Sequence, residues 1–266
     1  MSTDKKHTVL KVEDLSIGYK SKKNAITVAE KISFQIEKGE LVAIVGANGI
    51  GKSTLLRTLA NIQPSLSGGI TLNKKPIQTY SPLTLATEIS VVLTEHIPAK
   101  NLNVAEVIAL GRQPYTNWVG KLSETDQEKV REVIDLMDLD SMKHKKCFEL
   151  SDGQLQKVMI ARALAQDTSL VILDEPTTHL DIYHKVSVLK LLKKIAHQTQ
   201  KAVLFSTHEI DLAIQLADKI LILHPQGSVL DSPENLIKND RFQHLFPKGF
   251  VEFDTLSGSF KVKKDD

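Results

Sequence analysis

The sequence predicts an α/β protein: a largely parallel sheet with helices on its faces, an antiparallel β segment before it and a helical block inserted in it. Three observations carry this. LVAIV at 41–45 is continuously apolar and ends in a glycine-rich turn that opens a helical pattern, as a strand buried on both faces does. From residue 169 onward apolar strands alternate with helical stretches, the mark of parallel strands joined by helical crossovers. Upstream, VLKVEDLSI and ITVAEKISFQI alternate apolar and polar residues like half-buried antiparallel strands.

Taken in order, residues 8–45 read as strands. The helix that follows, KSTLLRTLANI, has Leu55, Leu56, Leu59 and Ile62 at helical spacing. Residues 68–93 return to short strands around a proline-containing link, Tyr80-Ser81-Pro82. Residues 102–165 read mainly as helix. Ser123, with Glu124 and Asp126 behind it, is a helix start, and Val130, Val133, Ile134 and Met137 then form an apolar stripe. This block, about 97–165, is expected as a lobe separate from the sheet. SLVILD, a helix from about 182 to 199, KAVLFST, a helix near 209–216 and KILIL complete the α/β part. FVEFDTLSGSFKV reads as two strands around a Ser-Gly turn, a small hairpin protecting the sheet edge. The expected division is therefore 1–245 as the main domain and 246–266 as a hairpin extension.

Composition bounds the function. The 266 residues are 41% hydrophobic and 25% charged, ordinary for a globular chain with a sizeable core. With 34 basic against 32 acidic side chains the net charge is +2, so bulk charge gives no reason to expect a nucleic-acid partner. Cys147 is the single cysteine, which forbids an intrachain disulfide and suits a reducing compartment. No secretory h-region is expected in MSTDKKHTVL, and no apolar run is long enough for a bilayer span.

GANGIGKST, Gly46 to Thr54, satisfies G-x-x-x-x-G-K-[ST] in the context that motif needs, after a buried strand and at a helix start. Its glycines Gly46, Gly49 and Gly51 let the backbone, including Ala47, Asn48 and Ile50, aim N–H groups at phosphate oxygens. The helix beginning at Lys52 adds the positive end of its dipole. Lys52 can reach the β- and γ-phosphates, and Ser53 can offer its hydroxyl to Mg²⁺. A chance match arises in roughly 1 in 100 chains of this length, before the flanking elements are required. SLVILDEP then delivers Asp174 and Glu175 to the carboxyl edge of the sheet. Asp174 suits Mg²⁺, and Glu175 can polarise an attacking water as general base.

A third motif narrows the choice. LSDGQLQKVMIARAL, Leu150 to Leu164, together with the two above, resembles the ATP-binding subunit of ABC transporters, whose signature is usually LSGGQ. The resemblance covers about residues 8–230. It implies a P-loop cassette with a RecA-like mixed sheet, an antiparallel β subdomain and an inserted helical lobe. It also implies an ATPase using ATP and Mg²⁺. Tyr19 matches the aromatic that stacks on adenine, Thr177 to Asp181 the turn after the glutamate, and Ser206 to His208 the switch-histidine loop. By the same resemblance, Ser151, Gly153 and Gln154 open a helix toward the γ-phosphate of a second copy, with Asp181 nearby. Two chains then sandwich two ATP molecules, Glu175 activates water and His208 contacts the γ-phosphate.

Two positions depart from that pattern. Thr94, in VVLTE, stands where the family usually has Gln, and Glu95 or a water is expected to substitute. Asp152 replaces the first signature glycine and is expected to cap the helix. The stretch carrying Leu110-Gly111-Arg112, Pro114-Tyr115, Trp118, Gly120 and Leu122-Ser123 resembles the importer subfamily for iron-siderophores, haem and cobalamin. That implies a homodimer of nucleotide-binding subunits on an integral membrane permease dimer, served by a substrate-binding protein, with no nucleic acid. The place is the cytoplasmic face of the inner (plasma) membrane, peripherally bound, with a ferric siderophore as the foremost cargo. A soluble ABC ATPase acting on ribosomes or DNA, or an exporter cassette, are the alternatives.

Overall fold

The computed structural model describes residues 7–20, 24–93, 101–116, 120–224, 226–245, 251–254 and 259–262. In chain order come β1 (Thr8–Lys20), β2 (Ala25–Glu37), β3 (Leu41–Val45) and α1 (Lys52–Leu59). β4 (Ser67–Leu72), β5 (Lys75–Pro76), α2 (Pro82–Ala86) and β6 (Ile89–Val92) follow. Then come α3 (Val104–Ala109), α4 (Glu124–Leu136) and α5 (Asp152–Ala165). The rest alternates: β7 (Leu170–Leu173), α6 (Ile182–Thr199), β8 (Ala202–Ser206), α7 (Ile210–Leu216), β9 (Lys219–His224), β10 (Gly227–Asp231) and α8 (Pro233–Lys238). The last two strands are β11 (Val251–Asp254) and β12 (Ser259–Val262).

Six strands form the main sheet in the order β10-β9-β3-β8-β7-β6, parallel except for β10, which runs antiparallel to β9. Every residue of β3, β7 and β8 is buried, as their unbroken apolar sequences require. Side chains of period two divide between the two faces. Ala43, Val45, Val171, Leu173, Val203 and Phe205 join the cluster under α3 to α7. Val42, Ile44, Leu170, Ile172 and Leu204 join the other, with Leu55, Leu56 and Leu59 of α1 and the inner residues of β1 and β2. A second sheet, β2-β1-β4-β5, covers that other face and is antiparallel throughout, with Lys11 opposite Gln35.

The helical block folds as its caps dictate. Ser123 caps α4 in a reciprocal box with Asp126, and Val130, Val133, Ile134 and Met137 are all buried. Arg112 donates from Nε to Asp126 at 2.9 Å and from Nη1 to the Ala165 carbonyl at 2.7 Å, with its guanidinium 3.8 Å over the Tyr115 ring. This buried pair locks α4 and α5 to the segment after α3.

Four expectations are corrected. Ile62 lies beyond α1, which ends at Leu59; Asn61 turns the chain with φ +55°, and Ile62 is 57% exposed. Ser81-Pro82 is no link between strands but the N-cap and first residue of α2, Ser81 Oγ accepting from the Thr84 N–H. The helical block is not separate from the sheet. One buried cluster runs from Val130 to Val45, and Arg162 and Gln166 donate to the carbonyls of Val91 and Ile89 in β6. The terminal hairpin forms a two-stranded sheet of its own instead of extending an edge of the main sheet. Phe253 anchors it, stacked on Phe242 at 4.9 Å. The Ser-Gly turn, Trp118, Thr94 and Glu95 lie outside the described residues.

Candidate functional site

The loop from Gly46 to Gly51 joins the carboxyl end of β3 to α1. Gly51 stands at the N-cap with φ +105°, and no side chain caps the helix, so the first-turn N–H groups face the loop's concavity. A Cβ on Gly51 would lie 2.5 Å from Val28 Cγ1, which makes glycine obligatory there on both counts. Tyr19, Val28, Asn48, Gly49, Gly51, Lys52, Ser53, Thr54, Glu175 and His208 line one cavity of about 320 Å³. Tyr19, at the end of β1, is 54% exposed, and its hydroxyl lies 3.0 Å from Thr54 Oγ1.

Lys52 curls back over the loop. Its ammonium donates to the carbonyls of Gly46 at 3.0 Å and Ala47 at 3.3 Å and lies 3.5 Å from His208 Nδ1. Burial lowers its pKa, and the charges of Glu175 and Asp174 oppose that shift. These contacts hold a cation at the mouth of an array of N–H donors, the arrangement that suits a polyphosphate.

The two carboxylates arrive from β7. Asp174 Oδ1 accepts from Ser53 Oγ at 3.1 Å and from Ser206 Oγ at 2.6 Å. The Ser206 hydroxyl in turn accepts from the Glu175 N–H at 2.9 Å. Glu175 takes φ +49°, a strained value for a residue with a Cβ, and this turns its side chain off the strand. Its Oε1 pairs with His208 Nε2 at 2.5 Å, and its Oε2 accepts from Thr178 Oγ1 at 3.0 Å. Lys52, Ser53, Asp174, Glu175 and His208, expected from three separate stretches, therefore meet at one sheet edge. Hard oxygen donors from Ser53 and Asp174, side by side, fit a Mg²⁺ ion.

Ser151, Gly153, Gln154 and Asp181 are not brought to this cavity. Ser151 is the N-cap of α5 and forms a reciprocal box with Gln154: Ser151 Oγ accepts from the Gln154 N–H at 3.3 Å, and Gln154 Oε1 accepts from the Ser151 N–H at 3.1 Å. Asp152 is thus the first helical residue and not the cap expected of it; as an exposed acid in the first turn it complements the helix dipole. Asp181 caps α6, accepting from the His184 N–H at 2.9 Å.

Sequence reasoning missed the role of Ser206, noted only as the first residue before Thr207 and His208. It is fully buried and joins the Asp174 carboxylate to the Glu175 backbone N–H across the β7–β8 pairing. A polar residue ending an apolar strand was the available signal. Val28 was also missed, with nothing in its local pattern to mark it; Thr178 lay within the Thr177 to Asp181 turn, but its bond to Glu175 was not foreseen.

Residues 29–178 match the family model described as ABC transporter. The chain is 39% identical over 258 residues to an uncharacterized ABC transporter ATP-binding protein of Methanocaldococcus jannaschii, spanning 97% of this chain and 88% of that protein. It is 34% identical over 233 residues to the petrobactin import ATP-binding protein FpuC of Bacillus anthracis, spanning 87% and 85%. Among solved structures, an inward-facing transporter described as of metal-chelate type superposes with a TM-score of 0.77 at 28% identity, over 90% of this chain and 89% of that one. An ATP-binding cassette solved as a dimer in a post-hydrolysis state with ADP and Pi superposes with a TM-score of 0.71 at 25% identity, over 84% and 98%.

Proposed function

The chain belongs to the ABC transporter ATP-binding family, and from that membership we propose that it is the ATP-hydrolysing subunit of an importer for iron-siderophores, haem or cobalamin. The observation that carries the catalytic reading is the meeting of Glu175, His208, Lys52, Ser53 and Asp174 around the loop cavity. The relative named for petrobactin import and the neighbour of metal-chelate type favour a ferric siderophore as cargo.

In this reading the N–H groups of residues 46–54 and the Lys52 ammonium hold the β- and γ-phosphates, and Tyr19 stacks on adenine. Ser53 and Asp174 hold Mg²⁺, which when bound neutralises charge on the phosphate oxygens. Glu175 draws a proton from water as its oxygen attacks the γ-phosphorus in line, and the bond to the bridging oxygen of ADP breaks. His208, now paired with Glu175, turns to the γ-phosphoryl oxygens and stabilises their charge. A second copy supplies Ser151, Gly153, Gln154 and Asp181 across the interface, so that loss of the γ-phosphate loosens the pair.

Residues 1–245 act as the nucleotide-binding domain and 246–266 as its extension. No helix among the described residues is long and apolar enough to cross a membrane. In the importer reading a permease dimer is the partner that carries the cargo, fed by a binding protein, with this subunit docked on its cytoplasmic face.

Glu175→Gln tests the reading. We expect hydrolysis to fall by about 10²-fold or more while nucleotide is retained and ATP shifts the chain from monomer to dimer on sizing. A variant that hydrolyses at the parental rate removes Glu175 from this role.

A further inference from the structure

Among the residues assigned to face the partner's nucleotide, two groups lie far apart in sequence: the α5 tip, Ser151 to Gln154, and Asp181 in the turn before α6. One side chain touches both. His184 Nδ1 lies 2.9 Å from each oxygen of Asp181, and its backbone N–H donates to Oδ1 at 2.9 Å. The other edge of the same ring lies against Gly153. A Cβ built there would stand 3.1 Å from His184 Cδ2 and 3.6 Å from Cγ, with Leu180 Cδ2 at 3.7 Å. A side chain at 153 would therefore press on this imidazole, which packs close against the glycine within a single chain.

The charge relation agrees with a lasting contact. The backbone hydrogen bond from His184, and then its side chain, lower the pKa of Asp181. The imidazole is 51% exposed and Asp181 64%, so the linked pair sits on the open surface beside the α5 tip. Neither group lines the cavity of its own chain.

We infer that His184 is a positioning residue, a strut that ties the α5 tip to the Asp181 turn so that both meet the nucleotide of a second copy as one unit. This rests on the dimer reading above. Without the strut the two loops keep their own caps but lose their mutual spacing, and misplacement on the scale of 1 Å is enough to cost about 10²-fold in an assembled site. The role is therefore exerted across the interface and not on nucleotide held by the chain's own loop.

Three variants separate the contacts. His184→Ala removes both. His184→Leu keeps bulk against Gly153 without a donor. His184→Asn keeps both, because its amide nitrogen stands in for Nδ1 and its oxygen for Cδ2. Each is made in the Glu175→Gln chain, and two quantities are read: the affinity of a fluorescent ATP analogue for the monomer, and ATP-driven dimerisation by sedimentation. We expect monomer affinity to change by less than about twofold in all three. Dimerisation should weaken by about tenfold or more in Ala and Leu and recover in Asn to within about threefold. Unaltered dimerisation of the Ala variant overturns the strut, as does a parallel loss of monomer affinity, which marks a general folding defect. If the Glu175→Gln parent itself fails to dimerise with ATP, the dimer reading falls, and the strut with it.

Discussion

Replacing Gly51 by alanine puts a methyl group into the most constrained point of the loop between β3 and α1. Two costs arise, and they can be separated. The backbone there has φ +105°, outside the regions open to a residue with a Cβ, which costs about 1–2 kcal/mol. The new Cβ would also sit 2.5 Å from Val28 Cγ1, where carbon atoms prefer about 3.5–4.0 Å, and overlap of that kind costs about 1–3 kcal/mol. The expected loss, about 2–5 kcal/mol, is a large part of a typical stability of about 5–15 kcal/mol. Val28→Ala removes Cγ1 and leaves the backbone cost alone. In a double-mutant cycle followed by urea unfolding and far-UV circular dichroism, Val28→Ala should therefore recover about 1–3 kcal/mol in the Gly51→Ala chain. Binding of an ATP analogue should recover in the same double variant only in part, because Val28 lines the same cavity. Additive single effects, within about 0.5 kcal/mol, would refute the claim that the Val28 contact fixes glycine at this position.

Asp126→Asn should destabilise the chain by about 3 kcal/mol, since it leaves the buried Arg112 guanidinium without its counter-charge. The hydroxyl of Ser123, then its backbone N–H and Arg112, hold the Asp126 pKa below the ordinary value of 3.8. Its stabilisation is therefore present above that value and lost as pH falls through the lower folded one. An acid titration of stability should accordingly be steeper in the parent than in Asp126→Asn; identical slopes would contradict it. Ser206→Ala should cost about 1–3 kcal/mol by orphaning the Glu175 N–H. It should also lower kcat by about tenfold or more through the lost hold on the Asp174 carboxylate and the Glu175 backbone, with a smaller effect on nucleotide affinity; an unchanged kcat would sink that role.

Local signals made most of the architecture legible. The run LVAIVG, with glycines and a helix behind it, specified a buried strand and a tight glycine loop at the head of α1. Ser123 with Asp126 specified the start of α4, and both boundaries of α6 stood where the pattern put them. What the sequence hid is non-local. The start of α2 carried its Ser-Pro signal, but five residues without an apolar stripe did not outweigh the neighbouring strands. Where a hairpin packs is decided by partners such as Phe242, which no alternation within residues 250–262 reveals. In the site, each catalytic candidate had a motif around it. Ser206 and His184 act through residues about 30 positions away, and that information lies in strand pairing and helix packing.

The β7–β8 pairing has a consequence for how the chain finds its fold. A strand with one wet face is punished for sliding by a residue, because the slide turns apolar groups outward. β7 and β8 have no wet face: LVIL and AVLFS are buried at every position, so hydrophobicity alone scarcely distinguishes Leu173 opposite Phe205 from its misaligned neighbours. The polar clasp at the strand ends does distinguish them. Only in the native alignment do Ser206, Asp174 and the Glu175 amide satisfy one another away from water, and any slip would strand them in apolar surroundings. The clasp beneath the candidate site is thus also the proofreader of the sheet.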